Sequence, residues 1–134
     1  MDNPCRLWHD TPMESQSILP PRPGSGTQPR VVLDTDTYNE IDDQFALAYL
    51  LRSTAEVRPE AIYAAPFHND RSESPADGME KSYEEIELLL GRMGMDEFPH
   101  FKGSLSTLPT DSAPVDSPAA RDLVDRAMSA THSD

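Results

Sequence analysis

Residues 30–51, RVVLDTDTYNEIDDQFALAYLL, set a short apolar run directly before a cluster of carboxylates and follow it with a second apolar run. Val31, Val32 and Leu33 are continuous and mostly β-branched, as expected of a strand buried on both faces of a parallel sheet. Asp34, Asp36, Glu40, Asp42 and Asp43 then crowd five carboxylates into ten positions, and residues 45–51 resume an apolar pattern long enough for a buried helix. The reading is strand, acidic loop, helix. In open α/β sheets ligands bind in the crevice beyond the carboxyl ends of the strands, so the loop falls where such a fold offers a site.

Five like charges on so short a loop repel one another, and they stay ionised together only if solvent, a helix N-terminus or a bound cation compensates them. A hard divalent cation fits best: calcium takes six to eight oxygen ligands, and magnesium usually one or two carboxylates plus water. A plainer account is that Asp42 or Asp43 caps the helix by accepting from its orphan N–H groups, the others forming a solvated acidic loop. Capping explains one aspartate, not five. An EF-hand is excluded: counted from Asp34, its required glycine falls on Asn39 and its terminal glutamate on Phe45.

At these residues the chain resembles the nucleoside hydrolase family, whose signature is an apolar strand, Asp-x-Asp, and an Asp-Asp pair opening a helix, here Asp34, Asp36, Asp42 and Asp43. The likeness continues through residues 61–65 as a second strand, His68-Asn69 after it, and Phe101-Lys102-Gly103 as a short third strand. It covers the chain from about Arg30 onward. It implies calcium as cofactor, with Asp36 as ligand and base for the attacking water and Asp43 as a ligand through both oxygens. It further implies that Asp42, and less securely Asn69, hold ribose hydroxyls, with Asp34 behind them. The implied reaction is hydrolysis of the N-glycosidic bond of a ribonucleoside to free base and ribose. Between Asp36 and Asp42 the family's Pro-Gly turn is replaced by Thr37-Tyr38-Asn39-Glu40-Ile41, a wording similar to a divergent branch.

The rest of the chain is read from its patterning. Residues 1–29 hold Pro20, Pro21, Pro23, Pro29, Gly24 and Gly26 without apolar periodicity, and read as a flexible leader. Residues 60–65 follow Pro59, precede Pro66 and suit a second strand; residues 71–78 read as a mobile loop over the site, with Asp77 capping the next helix. In that helix Tyr83, Ile86, Leu90 and Met93 recur at helical spacing against an acidic face, and Gly94 is a stop. The third strand is entered over residues 98–101, a long loop covers 103–115, and Ser117-Pro118 opens a third helix with Leu123, Val124, Ala127 and Met128 as its apolar face. Strand and helix, three times over, imply an α/β fold with an open, mostly parallel, Rossmann-like sheet and right-handed crossovers.

With 24 acidic against 11 basic residues the formal charge is −13, which repels nucleic acid polymers and anionic membranes. The single cysteine, Cys5, allows no intrachain disulfide; there is no signal-peptide pattern and no membrane-spanning run, so a cytoplasmic location is expected. The likeness accounts for less than half of the family's usual domain, so the chain reads as a truncated amino-terminal part. Alone it is expected to be marginally folded, prone to self-association and without appreciable activity. A rival enzyme reading takes 33–37, Leu-Asp-Thr-Asp-Thr, as the strand-end motif of haloacid dehalogenase-like phosphatases, with Asp34 as nucleophile, Asp36 as acid and base, and magnesium. That leaves the Asp42-Asp43 pair unexplained. A third reading, from another class, is a non-catalytic metal- or sugar-binding module.

Overall fold

The most deeply buried strand is the second, where Ala61, Ile62, Tyr63 and Ala64 are each at most 2% exposed. In this computed structural model, which describes residues 28–108 and 114–130, the order is β1 (Arg30–Thr35), α1 (Ile41–Arg52), β2 (Arg58–Ala64), α2 (Pro75–Met93), β3 (His100–Lys102) and α3 (Pro118–Ser129). The three strands form one open parallel sheet in the order β1-β2-β3. The fold is therefore α/β with strands and helices alternating. Because β2 is paired on both sides while β1, among the described residues, stands at an edge, Val31, Val32 and Leu33 are only half-buried, not covered on both faces as their composition suggests.

Pro59 lies inside β2 rather than before it, and the register explains how the strand tolerates it. Val31 is opposite Pro59 and Val32 opposite Ala61, so Glu60 is the extra residue of a bulge, where a missing N–H breaks no regular ladder. Alternation along β2 then sends side chains to two layers. Ile62 and Ala64 join Leu33, Leu47, Leu51, Met79, Ile86 and Leu90 in a core under α1 and α2, while Ala61 and Tyr63 pack with Val32, Phe101 and Ala119 beneath α3. Helices α1 and α2 share one face, as same-handed crossovers of a sheet ordered 1-2-3 require, and α3 lies on the other.

The helix starts differ from sequence expectation. Glu40 occupies the cap of α1 without a side-chain capping bond, so neither Asp42 nor Asp43 caps; both lie in the first turn, where carboxylates favour the positive helix end. Only Leu47 and Leu51 of α1 are buried, and Ile41, Phe45 and Tyr49 form an exposed stripe at spacings of four. Helix α2 begins at Pro75, within the stretch expected to be a loop. Its cap is Ser74, whose hydroxyl accepts from the Asp77 N–H (3.1 Å), while the Asp77 carboxylate accepts from the Glu73 N–H (2.9 Å). Gly94, at φ 68°, ends α2 in the left-handed conformation. Gly78 is needed for closeness: a Cβ there would stand 2.0 Å from the Phe67 carbonyl oxygen.

The leader up to Thr27 lies outside the described residues, but its last two residues are fastened. Gln28 donates to the carbonyls of Thr54 and Ala55, and the Pro29 carbonyl accepts from the Arg58 N–H. At the other end Ser117 caps α3 by accepting from the Ala120 N–H (3.1 Å) with Pro118 in the first turn, as its sequence predicts. The expected apolar face of α3 is not covered, however: Leu123, Val124 and Met128 are exposed and only Ala119 is buried.

Polar bonds dock α3 instead. Tyr63 donates to Asp122 (2.7 Å), Asp122 is gripped by Arg126, and Arg126 reaches Glu60, which also accepts both arms of Arg30 (2.7 and 2.8 Å) and Arg58. The Arg30 guanidinium, seconded by Arg58 against partial burial, holds the Glu60 carboxyl down at about 2. A lowered carboxylate adds stability above its unfolded value of 4.5 and loses it as pH falls toward about 2. Glu60→Gln should thus cost about 1–2 kcal/mol at pH 7 in urea denaturation. The gap from wild type should close as the pH is lowered from 4.5 to about 2.

Candidate functional site

The loops at the carboxyl ends of β1 and β2 meet through hydrogen bonds from Asn69 and Arg71 to Asn39. Thr35, the last residue of β1, keeps its carbonyl bonded to the Ala65 N–H (2.9 Å) and buries its hydroxyl. That hydroxyl donates to Asp43 Oδ1 in the first turn of α1 (2.6 Å) and accepts from the fully buried Thr37 hydroxyl (3.2 Å). Strand end and helix start are thereby tied across the intervening loop.

Within the loop the chain turns at Asp36. Its carbonyl accepts from the Asn39 N–H (2.6 Å), and its Oδ2 accepts from Asn39 Nδ2 (2.9 Å). Asn39 Oδ1 in turn accepts from Asn69 Nδ2 (2.6 Å), which comes from the loop after β2. A chain of two amides therefore runs from Asn69 to the Asp36 carboxylate, each polarising the next toward the negative charge. Arg71 closes the group: its Nη1 donates to the Asn39 carbonyl (2.8 Å), its backbone N–H to Asn69 Oδ1 (2.9 Å), and its guanidinium lies 5.1 Å over the Tyr38 ring. Ser72 holds Asn69 from behind, accepting from its N–H (3.3 Å) and donating to the Phe67 carbonyl (3.0 Å). The segment expected to be a mobile loop is, at Arg71 and Ser72, bonded into the site.

Of the residues singled out from sequence, Asp36 and Asn69 are brought together through Asn39, and Asp43 is held against the end of β1. Asp42 is exposed in the first turn of α1. Asp34 is inside β1, and its side chain shares a face with Val32 and Tyr63, lining a recess with Ala65, Gly103 and the start of α3. Partial desolvation there, with the Asp36 charge second, pushes the Asp34 carboxyl up. His68 is exposed.

The donor chemistry suits a hard cation only in part. Asp36 and Asp43 engage Asn39 and Thr35 with one carboxylate oxygen each, and the second oxygen of each has no such partner among the described residues. No three His, Cys, Asp or Glu side chains converge as a metal site among the described residues. A pair of carboxylates suits an ion that completes its shell with water or with further carbonyl oxygens, rather than a closed protein cage.

Sequence reasoning missed Thr35, Thr37, Asn39, Arg71 and Ser72. Their signal was faint but readable: Ser, Thr and Asn next to strand ends bond local backbone and neighbouring side chains, which is how turns at such ends are fixed. Comparison with known protein families, with characterised proteins and with solved structures finds no match for the chain. Among the described residues no helix is long and apolar enough to cross a membrane.

Thr35→Val keeps the shape of the strand end and removes both hydroxyl bonds, leaving the buried Thr37 hydroxyl without its acceptor. It should lower stability by about 1–3 kcal/mol in thermal or urea unfolding. Asp42→Asn, at an exposed position, should change stability by less than about 0.5 kcal/mol.

Proposed function

We propose that the chain carries the amino-terminal part of a nucleoside hydrolase-like site, in a Rossmann-like sheet of the nucleoside hydrolase type, which in a complete domain cleaves the N-glycosidic bond of ribonucleosides. The observation that supports this most is the Asp36–Asn39–Asn69 chain of hydrogen bonds, which unites the proposed base and the proposed ribose ligand from two different loops. Thr37-Tyr38-Asn39-Glu40-Ile41, which departs from the family's turn, is the segment that makes the connection.

Calcium, held by Asp36 and Asp43, would supply the charge that makes a bound water acidic. The chain's own residues do the rest. Asn39 occupies one oxygen of Asp36 and orients the carboxylate, leaving its other oxygen to take a proton from water. Water adds to the anomeric carbon, the bond from that carbon to the base nitrogen breaks, and its electron pair leaves with the base. As that bond stretches the sugar becomes positive, and the carboxylates of Asp36, Asp42 and Asp43 favour that charge. In this reading Asp42, exposed at the helix start, would accept hydrogen bonds from ribose hydroxyls, and Asn69, whose amide already donates to Asn39, would supply a further polar contact. The group that protonates the departing base has no candidate among the residues discussed, so turnover by these residues alone should be slight.

The phosphatase reading asks more of Asp34 than its setting offers. Its side chain points to the α3 face, away from Thr35 and Asp43, and the reading leaves the Thr35–Asp43 link without a role.

Calorimetry with inosine or uridine should show saturable binding that requires calcium and weakens about tenfold or more in Asn69→Ala and Asp43→Asn. Absence of nucleoside binding with calcium present, or release of phosphate from a phosphomonoester that Asp34→Asn abolishes, would replace this reading.

A further inference from the structure

We infer that the outer face of α1 is a docking surface for the proline-rich segment of this same chain at residues 18–23. Between Phe45 and Leu51 the helix has no charged residue. Leu47 and Leu51 are buried in the core, while Ile41, Phe45 and Tyr49 on the outside are 68%, 69% and 78% exposed. A helix that is apolar all round its circumference is one that is covered on every side. Spacings of four set the three outer side chains one above the other, so that the two aromatic rings are neighbours on a single stripe.

The occupant follows from where the chain enters the fold. Gln28, the first described residue, donates its side-chain amide to the carbonyls of Thr54 and Ala55, just past the C-terminal end of α1. The segment before it therefore sets out from the end of the helix nearest Tyr49. From Thr54 back to Ile41 is about 20 Å at 1.5 Å per residue, and the chain from Gln28 to Leu19 can extend to about 30 Å. Ile18 and Leu19 are thus within reach of the whole stripe.

The chemistry of the two partners agrees. Residues 18–23 read Ile-Leu-Pro-Pro-Arg-Pro. Runs of the Pro-x-x-Pro kind dock on exposed aromatic rings because proline pre-sets an extended backbone, so little entropy is lost on binding. Phe45 and Tyr49 offer the rings. Charge separates this occupant from a second copy of the chain: two copies would bring together bodies of formal charge −13 each. Residues 18–23 carry a single charge, the positive Arg22, to a face where the exposed Asp42 stands one turn before Phe45.

Nitrogen-15 relaxation of the full 134-residue chain under reducing conditions should give the Ile18 and Leu19 amides order parameters above about 0.6. They should fall below that value when Phe45→Gln and Tyr49→Gln are combined, exposed changes that keep α1 intact by circular dichroism. Leu19→Gln, which leaves α1 untouched, should release the segment in the same way. In a Cys5→Ser background, mild oxidation should join Leu19→Cys to Ala46→Cys, exposed beside Phe45, within one chain. Adding the two glutamine changes should slow that cross-link about tenfold or more, which separates docking from mere nearness. Ile18 and Leu19 amides below about 0.6 in the unaltered chain, or a cross-linking rate that the glutamine changes leave alone, would each overturn the inference. So would a dimer in sedimentation velocity that those changes dissociate while the segment stays mobile, because a second copy would then be the occupant.

Discussion

The structure at the carboxyl end of the sheet depends on one partly buried hydrogen bond, from the Thr35 hydroxyl to the Asp43 carboxylate. A strand end and a helix start that face each other across a loop are free to separate unless something short joins them. Here the link is 2.6 Å long, and it draws one of five clustered carboxylates inward. With Asp43 held, the loop between must fold back. It does so at Asp36, where the backbone bond from Asn39 sets the turn and the Asn39 side chain reaches the carboxylate. Asn69 and Arg71, further out, both bond to Asn39.

A second constraint acts on the opposite face. Helix α3 buries little apolar surface, so charged groups position it: Glu60 sits at the bulge beside Pro59 and collects three arginines, one of them from α3. The bulge and the ion network have one cause, since the extra residue at Glu60 is what Arg30, Arg58 and Arg126 converge on. The N-terminal end of α3 then borders the recess that contains Asp34, so the ion network also fixes one wall near the site.

The order of elements was legible because each signal was physical and local. An apolar β-branched run gave β1, the segment between Pro59 and Pro66 gave β2, Ser117-Pro118 gave a helix start, and Gly94 gave a stop. Burial was less legible, because it depends on neighbours: Val31 to Leu33 read as a central strand, yet a strand with one partner is half exposed, and the alanine-containing run at 61–64 is the true centre. Aspartates drew the eye at the caps of α1 and α2, where position rather than residue type decides; Glu40 and Ser74 stand there. The carboxylates of the site were visible as a cluster, but the hydroxyl and amide groups that orient them were not, since Thr35 and Asn39 acquire meaning only when two loops meet.

That meeting is the central claim, and a double-mutant cycle between Asn39 and Asn69 tests it most directly. Both residues would be changed to alanine singly and together, and unfolding free energies compared. If Asn69 acts on Asp36 through Asn39, the two changes should be coupled by about 0.5 kcal/mol or more, the double variant costing less than the sum of the singles. Additivity to within about 0.3 kcal/mol would mean that the two loops do not act as one unit, and would contradict the account.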